Sequence, residues 1–251
     1  MDKLEKQFQQ PMEQLGKMHE HSKVFVDFMD YYISQHSNSP GLTIPHGYKE
    51  SEIQLFEDAY NGFNRLMTRL LEKYPWYDYI GEYYEKFVLA GSKASSKGQF
   101  YTPRAISDLL SQVTGCTCEM GEAYDPACGS ARNLLDYHSK HPGVRCTGED
   151  LDESACKMAV LNFHAHGVDG VVNWIDALTR EYMGTSWRIV GGRIVVTDMD
   201  WIRAVDDVVS AVNILSLSDD TLRKLCHIML RQEDTTDKEE NNTKTGLDNW
   251  M

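Results

Sequence analysis

The chain has no run of 18 apolar residues, and Met1-Asp2-Lys3-Leu4-Glu5-Lys6 has no apolar stretch behind its charges. A helix that spans a bilayer needs about 20 apolar residues, so neither a membrane span nor a signal peptide is expected. No Cys-x-x-Cys pair occurs among Cys116, Cys118, Cys128, Cys146, Cys156 and Cys226. Without zinc-like spacing or a secretory signal, these read as free thiols in a reducing cytoplasm, and no metal site is expected. Positive charge is also short: 25 Lys and Arg stand against 38 Asp and Glu, a formal net charge of −13. Sequence-independent DNA binding is driven by cations that neutralise phosphates. Such binding therefore needs a local basic patch or a partner subunit. Proline is scarce, with seven residues and no adjacent pair.

What is present suffices for one large domain or two small ones: 251 residues, 41% of them hydrophobic. The first 90 residues carry helical periodicity. Leu4, Phe8, Met12 and Leu15 predict a helix that docks weakly. Val24, Phe25, Phe28, Met29, Tyr32 and Ile33 make a clearer stripe, broken by Ser37-Asn38-Ser39-Pro40-Gly41. Ser51 with Gln54 reads as a capping box for a long helix through Ile53, Phe56, Tyr60, Phe63, Met67, Leu70 and Leu71. A further helix carries Ile80, Tyr83, Tyr84, Phe87 and Val88. Aromatics at such spacing face a core rather than stack on bases.

Gly91-Ser92-Lys93-Ala94-Ser95-Ser96-Lys97-Gly98 reads as a flexible linker. Beyond it, Thr102 suits a helix N-cap and Pro103 a first turn, with Ile106, Leu109, Leu110 and Val113 as the buried stripe. Glu122-Ala123-Tyr124 reads as a short strand. It runs into a turn of small residues, Asp125-Pro126-Ala127-Cys128-Gly129-Ser130, and then a helix from Ala131. A small-residue turn between strand and helix lets a ligand approach the backbone and meet the helix N-terminus, although such corners also serve purely structural ends. Val144 to Asp150 predicts a second strand and Val171 to Ile175 a third. Acids close both, Asp150 and Asp176. An acid ending a second strand is where a Rossmann-like site holds ribose hydroxyls. Glu149 competes with Asp150, and alternation lets only one of them face the pocket. Asp176 also fits a turn residue that caps the next segment. His164 and His166, two apart on a helix, read as surface or packing residues.

Asp125-Pro126-Ala127-Cys128-Gly129-Ser130 resembles the cofactor motif of the N6-adenine DNA methyltransferases, most closely the modification subunit of type I restriction systems. Gly98-Gln99-Phe100-Tyr101-Thr102-Pro103 resembles that family's Gly-x-Phe-Tyr-Thr-Pro signature. Asp150 aligns with the acid of its Gly-Gln-Glu pattern, Asn162 to Val168 resembles its Asn-Leu-x-Leu-His-Gly segment, and Asp176-Ala177-Leu178 resembles Gly-Asp-x-Leu. One departure is visible, Ala131 where the family usually has glycine.

The resemblance implies an α/β fold, with a Rossmann-like S-adenosylmethionine-dependent methyltransferase sheet preceded by an all-helical N-terminal domain. The expected divisions are 1–96 helical, 97–205 methyltransferase, 206–231 C-terminal helices and 232–251 a disordered tail. The implied cofactor is S-adenosyl-L-methionine. Its contacts fall to Tyr101, Thr102 and Pro103 at the methionine end and to Asp125, Ala127 and Gly129 in the turn. Asp150 would meet the ribose, Asp176 and Ala177 the adenine, and Leu151 is a further cofactor contact.

The family places Asn/Asp-Pro-Pro-Tyr/Phe after its fourth strand, where it orients the target amine for in-line attack. This chain has no Pro-Pro. Ile194 to Val196 reads either as that strand, leaving Asp198 and Trp201 as catalytic candidates, or as a later Gly-Gly-Arg segment with strand four deleted. Three functions remain open. One is adenine-N6 DNA methylation with a specificity or other partner subunit, as a homo- or hetero-oligomer. The second is a catalytically inactive, cofactor-binding remnant or regulatory subunit. The third is methylation of RNA or a small molecule.

Overall fold

The stripes of the first 90 residues need a common core, and the helices meet in one. The computed structural model describes residues 2–37, 47–89, 102–113 and 121–198. Four helices come first: α1 (Asp2–Met18), α2 (His21–His36), α3 (Glu50–Leu71) and α4 (Tyr79–Tyr83), the last continued by a π-helical turn, Tyr84–Leu89. Phe8, Met12 and Leu15 are fully buried, so α1 docks firmly rather than weakly. Phe8 makes edge contacts with Phe28, Tyr79 and Tyr83. The aromatic stripe thus faces a core, as its spacing predicts. Pro11 lies inside α1 and cannot donate to the Gln7 carbonyl. Gly62 of α3 comes up against that carbonyl, where a Cβ would lie 2.5 Å from its oxygen. Ser51 and Gln54 do not form the capping box of α3; Glu52 caps the helix instead, its Oε2 accepting from the Lys49 N–H at 2.8 Å. The helix starts two residues earlier than the Ser51 signal implies.

The second half alternates strand and helix. In order come α5 (Arg104–Val113), β1 (Glu122–Asp125), α6 (Arg132–Lys140), β2 (Arg145–Asp150), α7 (Glu153–His166), β3 (Gly170–Asp176), β4 (Glu181–Val190) and β5 (Arg193–Asp198). The described strands form one mixed sheet in the order β1-β2-β3-β4-β5. β1, β2 and β3 are parallel, and β4 and β5 each pair antiparallel with the strand before. The expected α/β class is therefore present, as a five-stranded mixed sheet with helices. Gly148 of β2 abuts Cys128 and Leu134, and Gly170 of β3 abuts Phe163. Their register puts both on one sheet face, which α6 and α7 cover.

One expectation fails in this half, and one open choice narrows. The stripe Ile106, Leu109, Leu110 and Val113 is exposed, 43–76%, while Ser107 and Ser111 are buried. Helix α5 docks through hydrogen bonds instead: Ser107 Oγ donates to Asn133 Oδ1 at 2.9 Å, and Ser111 Oγ donates to Asp136 Oδ2. Of the two readings of the run from Ile194, the structure is compatible with the Gly-Gly-Arg segment and not with a strand beside β1. Gly191 and Gly192 have positive φ and close a tight hairpin, so β5 pairs with β4 at the sheet edge opposite β1.

The described helices also join the two halves. Lys157 of α7 pairs with Asp30 of α2 at 2.7 Å, and Tyr32 OH meets His164 Nδ1 at 2.9 Å. The Tyr77 N–H donates to His166 Nε2 at 3.1 Å. These histidines are packing residues, as read. Among the described residues no helix is long and apolar enough to cross a membrane. The linker at 91–98, Cys116, Cys118, Cys226 and the expected helices and tail beyond 200 lie outside the described residues.

Candidate cofactor-binding site

Parallel strands in register deliver their C-terminal residues to one edge, and here each ends on an acid. Asp125, Asp150 and Asp176 close β1, β2 and β3. Asp125 is level with Gly148, so Asp150 reaches two residues further along. The turn after β1 folds back toward β2. The Cys128 N–H donates to the Glu149 carbonyl at 2.9 Å, and the Gly129 N–H donates to Asp150 Oδ2 at 2.9 Å. Gly129 has φ 55°, a left-handed state that favours glycine.

Each acid carries a different load. The Asp150 carboxyl is pushed above the ordinary aspartate range by burial, opposed by the Asp152 and Gly129 N–H groups it accepts from. Asp125 Oδ1 accepts from the Ala127 N–H at 3.1 Å and Oδ2 from Asn133 Nδ2 at 3.3 Å. Asp176 Oδ1 accepts from the Leu178 and Thr179 N–H groups, which hold its carboxyl below the usual range, Thr179 foremost. The turn-capping role of Asp176 is thus present, carried by one of its two oxygens. Between Glu149 and Asp150 the structure separates the roles. Glu149 is 3% exposed and accepts from Tyr124 OH at 2.6 Å and from Arg180 Nη1 at 2.7 Å. Asp150 turns to the loop.

Apolar surface adjoins the acids. Leu151 is 59% and Leu178 96% exposed, with Ala177 beside them half-buried. The Leu151 carbonyl accepts from Trp174 Nε1 at 3.0 Å, which steadies the backbone after β2. Thr102 is half-buried and its carbonyl accepts from Arg132 Nη1 at 3.4 Å, so the start of α5 reaches the turn through Arg132. The first helical hydrogen bonds of α5 run to the Pro103 carbonyl, which places Pro103 at its boundary and Thr102 one residue before. Tyr101 and Trp201 lie outside the described residues. Asp198 ends β5, with β2, β3 and β4 between it and β1, about 19 Å away by ordinary strand spacing. The structure thus gathers Asp125, Ala127, Gly129, Asp150, Leu151, Asp176 and Ala177 at one end of three neighbouring strands and links Thr102 to them. It does not bring Asp198 to the turn.

Burial raises Cys128 and Cys156 well above the free-thiol range and Cys146 to about 12. Chemically, the cluster can accept hydrogen bonds from vicinal hydroxyls and from an amine, beside exposed leucines that suit a flat ring. Sequence reasoning gave no site role to three polar residues around it, Asp78, Asn162 and Arg180. Their side chains meet the site only through contacts far apart in sequence.

Comparison with known proteins adds the following. The N-6 DNA Methylase family matches residues 76–210. The methylase subunit of the type I restriction enzyme MpnII from Mycoplasma pneumoniae is 27% identical over 117 residues, 42% of this chain and 22% of that protein. The methylase subunit of the type I restriction enzyme MjaIX from Methanocaldococcus jannaschii is 26% identical over 134 residues, 49% of this chain and 24% of that protein. The chain therefore spans between 22% and 24% of the length of these relatives. No solved structure matches it significantly.

Proposed function

The chain belongs to the N-6 DNA methylase family, and we propose that the ends of β1, β2 and β3 bind S-adenosyl-L-methionine within a Rossmann-like methyltransferase fold. One observation carries this reading: three acids end three adjacent parallel strands, and the turn after the first is tied to the acid of the second. Open α/β sheets bind nucleotides at the carboxyl ends of their strands. The donor set fits the group. Asp150 accepts from ribose hydroxyls, Asp176 accepts from the adenine amine through its second oxygen, and Leu151, Ala177 and Leu178 cover the ring. The turn at Asp125, Ala127 and Gly129, with Tyr101, Thr102 and Pro103, receives the methionine end. When bound, the cofactor supplies an electrophilic methyl group.

The proposed acceptor is the N6 amine of adenine in DNA. The net charge of −13 makes a partner such as a specificity subunit the source of the DNA contacts. The division into a helical segment to residue 96 and a methyltransferase domain from 97 belongs to this proposal, as does a soluble cytoplasmic location. Asp198 and Trp201 remain the candidates on the acceptor side.

A second reading, a cofactor-binding subunit without catalysis, is favoured by two specific observations. The chain lacks Pro-Pro, and β5 lies at the edge opposite β1. Loss of positioning is costly for rate.

Calorimetric titration with S-adenosylmethionine tests the shared claim, and no heat at millimolar ligand defeats it. Transfer of labelled methyl to unmethylated DNA, with a specificity subunit added, then separates the two readings. Binding without transfer to DNA supports the second, and transfer to RNA alone replaces the DNA substrate.

A further inference from the structure

Outside the strand-end acids, four donors converge on one carboxylate. Asp78, at the N-terminus of α4, is 3% exposed. Its Oδ1 accepts from the Gly81 N–H at 2.8 Å and from Asn162 Nδ2 at 2.7 Å. Its Oδ2 accepts from Ser130 Oγ at 2.6 Å and Arg132 Nε at 2.5 Å. Asn162 also donates to the Ser130 carbonyl at 2.7 Å, and Arg132 Nη1 pairs with Glu85 at 2.9 Å. A buried charge is tolerated only where its lone pairs are filled. Here the donors come from α4, the turn after β1, the first residue of α6, and α7. One side chain joins the helical segment to the turn.

Between the two turn residues that Asp78 holds sits Ala131, fully buried at φ 69°. A left-handed state is unfavourable for any residue with a Cβ, and it persists where the surroundings over-determine it. Ser130 and Arg132 flank Ala131, and both are bound by the same carboxylate. Gly81 leaves room for that carboxylate: a Cβ there would lie 2.2 Å from Oδ2.

We propose that Asp78 is a positioning residue. It holds Ser130-Ala131-Arg132 in the left-handed turn that aims the Gly129 N–H at Asp150, and so presets the site for the nucleoside end of its ligand. The assignment rests on reading the turn as an S-adenosylmethionine loop, and it places the control of that loop in the helical segment before it.

The test uses the full chain with Asp78→Asn, Ser130→Ala, and Asp78→Asn combined with Ala131→Gly. Amide hydrogen exchange in the absence of ligand and calorimetry with S-adenosylmethionine are the readouts. In Asp78→Asn, exchange at Ser130 to Arg132 is expected to rise about tenfold and affinity to fall about tenfold, with α1 and α3 protected as in the wild type. Ser130→Ala, which leaves no charge unpaired, is expected to cost about threefold in affinity. Ala131→Gly needs no clamp to adopt its φ, so it should restore most of the affinity lost in Asp78→Asn. Unchanged exchange at the turn overturns the proposal. So does an even loss of protection across the chain in both single variants, which marks a merely structural group. If the wild-type chain binds no S-adenosylmethionine, the cofactor reading fails, while the exchange measurement still decides whether Asp78 holds the turn.

Discussion

The Gly129 N–H donates to Asp150 Oδ2 at 2.9 Å, so the turn after β1 and the acid at the end of β2 are one unit. Each partner is visible in sequence, but their contact is not. Together they set the distance between the turn backbone and the carboxylate that is proposed to meet ribose.

Asp150→Ala removes both the ribose acceptor and the loop tie. It should weaken S-adenosylmethionine binding by roughly 1.5–3 kcal/mol, the range for a hydrogen bond to a charged group. Calorimetry checks this, and an affinity equal to wild type would remove Asp150 from the site.

Gly62→Ala tests the crossing of α1 and α3. The added Cβ meets the Gln7 carbonyl carbon and oxygen, which are backbone and have little freedom to move. Overpacking of this kind costs about 1–3 kcal/mol. Urea unfolding should show it as a lower midpoint at unchanged slope.

The exposed face of α5 makes an opposite prediction. If Leu109 and Val113 were core residues, Leu109→Glu with Val113→Glu would unfold the chain. Because both side chains are exposed, the double variant should change stability by less than about 1 kcal/mol. A large loss in thermal unfolding would mean that the face is covered in solution.

Stability should fall on acidification from neutral pH. Burial lowers His166 and His36 to about 4, His36 with a smaller contribution from His164 beside it. The unfolded chain takes up protons near pH 6.5, whereas the folded chain resists until about 4. The stabilising effect is therefore complete above about pH 6.5 and is lost as pH falls towards 4, at up to about 1.4 kcal/mol per pH unit for the buried His166 and less for the half-exposed His36, which solvent screens. Thermal unfolding between pH 7 and 4 measures it, and His166→Gln should flatten the slope if its ring can be replaced without collapse.

Much of the fold was legible locally. The stripes on α2 and α3 predict buried faces because a 3.6-residue period has one physical meaning in a long segment. The three strands before β4 were equally legible, and the acids at their ends fell where a nucleotide site needs them. The orientation of α5 was not. Its apolar stripe outweighs Ser107 and Ser111 on any local scale, yet Asn133 and Asp136 of α6 offer those serines partners 25 or more residues away. The position of β5 was left open for a related reason. An apolar run states that a strand forms and says nothing about which neighbour it pairs with. The Gly191-Gly192 turn supplied the answer, because a tight turn returns the chain beside the strand it has just left.

The sequence by itself determined most of the elements other than β4, the small-residue turn and the order of the acids, because these depend on neighbours within a few residues. The tertiary structure alone decided which face of α5 is buried, which edge β5 occupies, and that Asp78 holds the turn. The edge depends on which strand β4 pairs with, and the other two depend on polar groups being satisfied across long separations. A buried carboxylate needs its donors wherever the chain supplies them, and no local pattern records that Ser130, Arg132 and Asn162 will meet at Asp78.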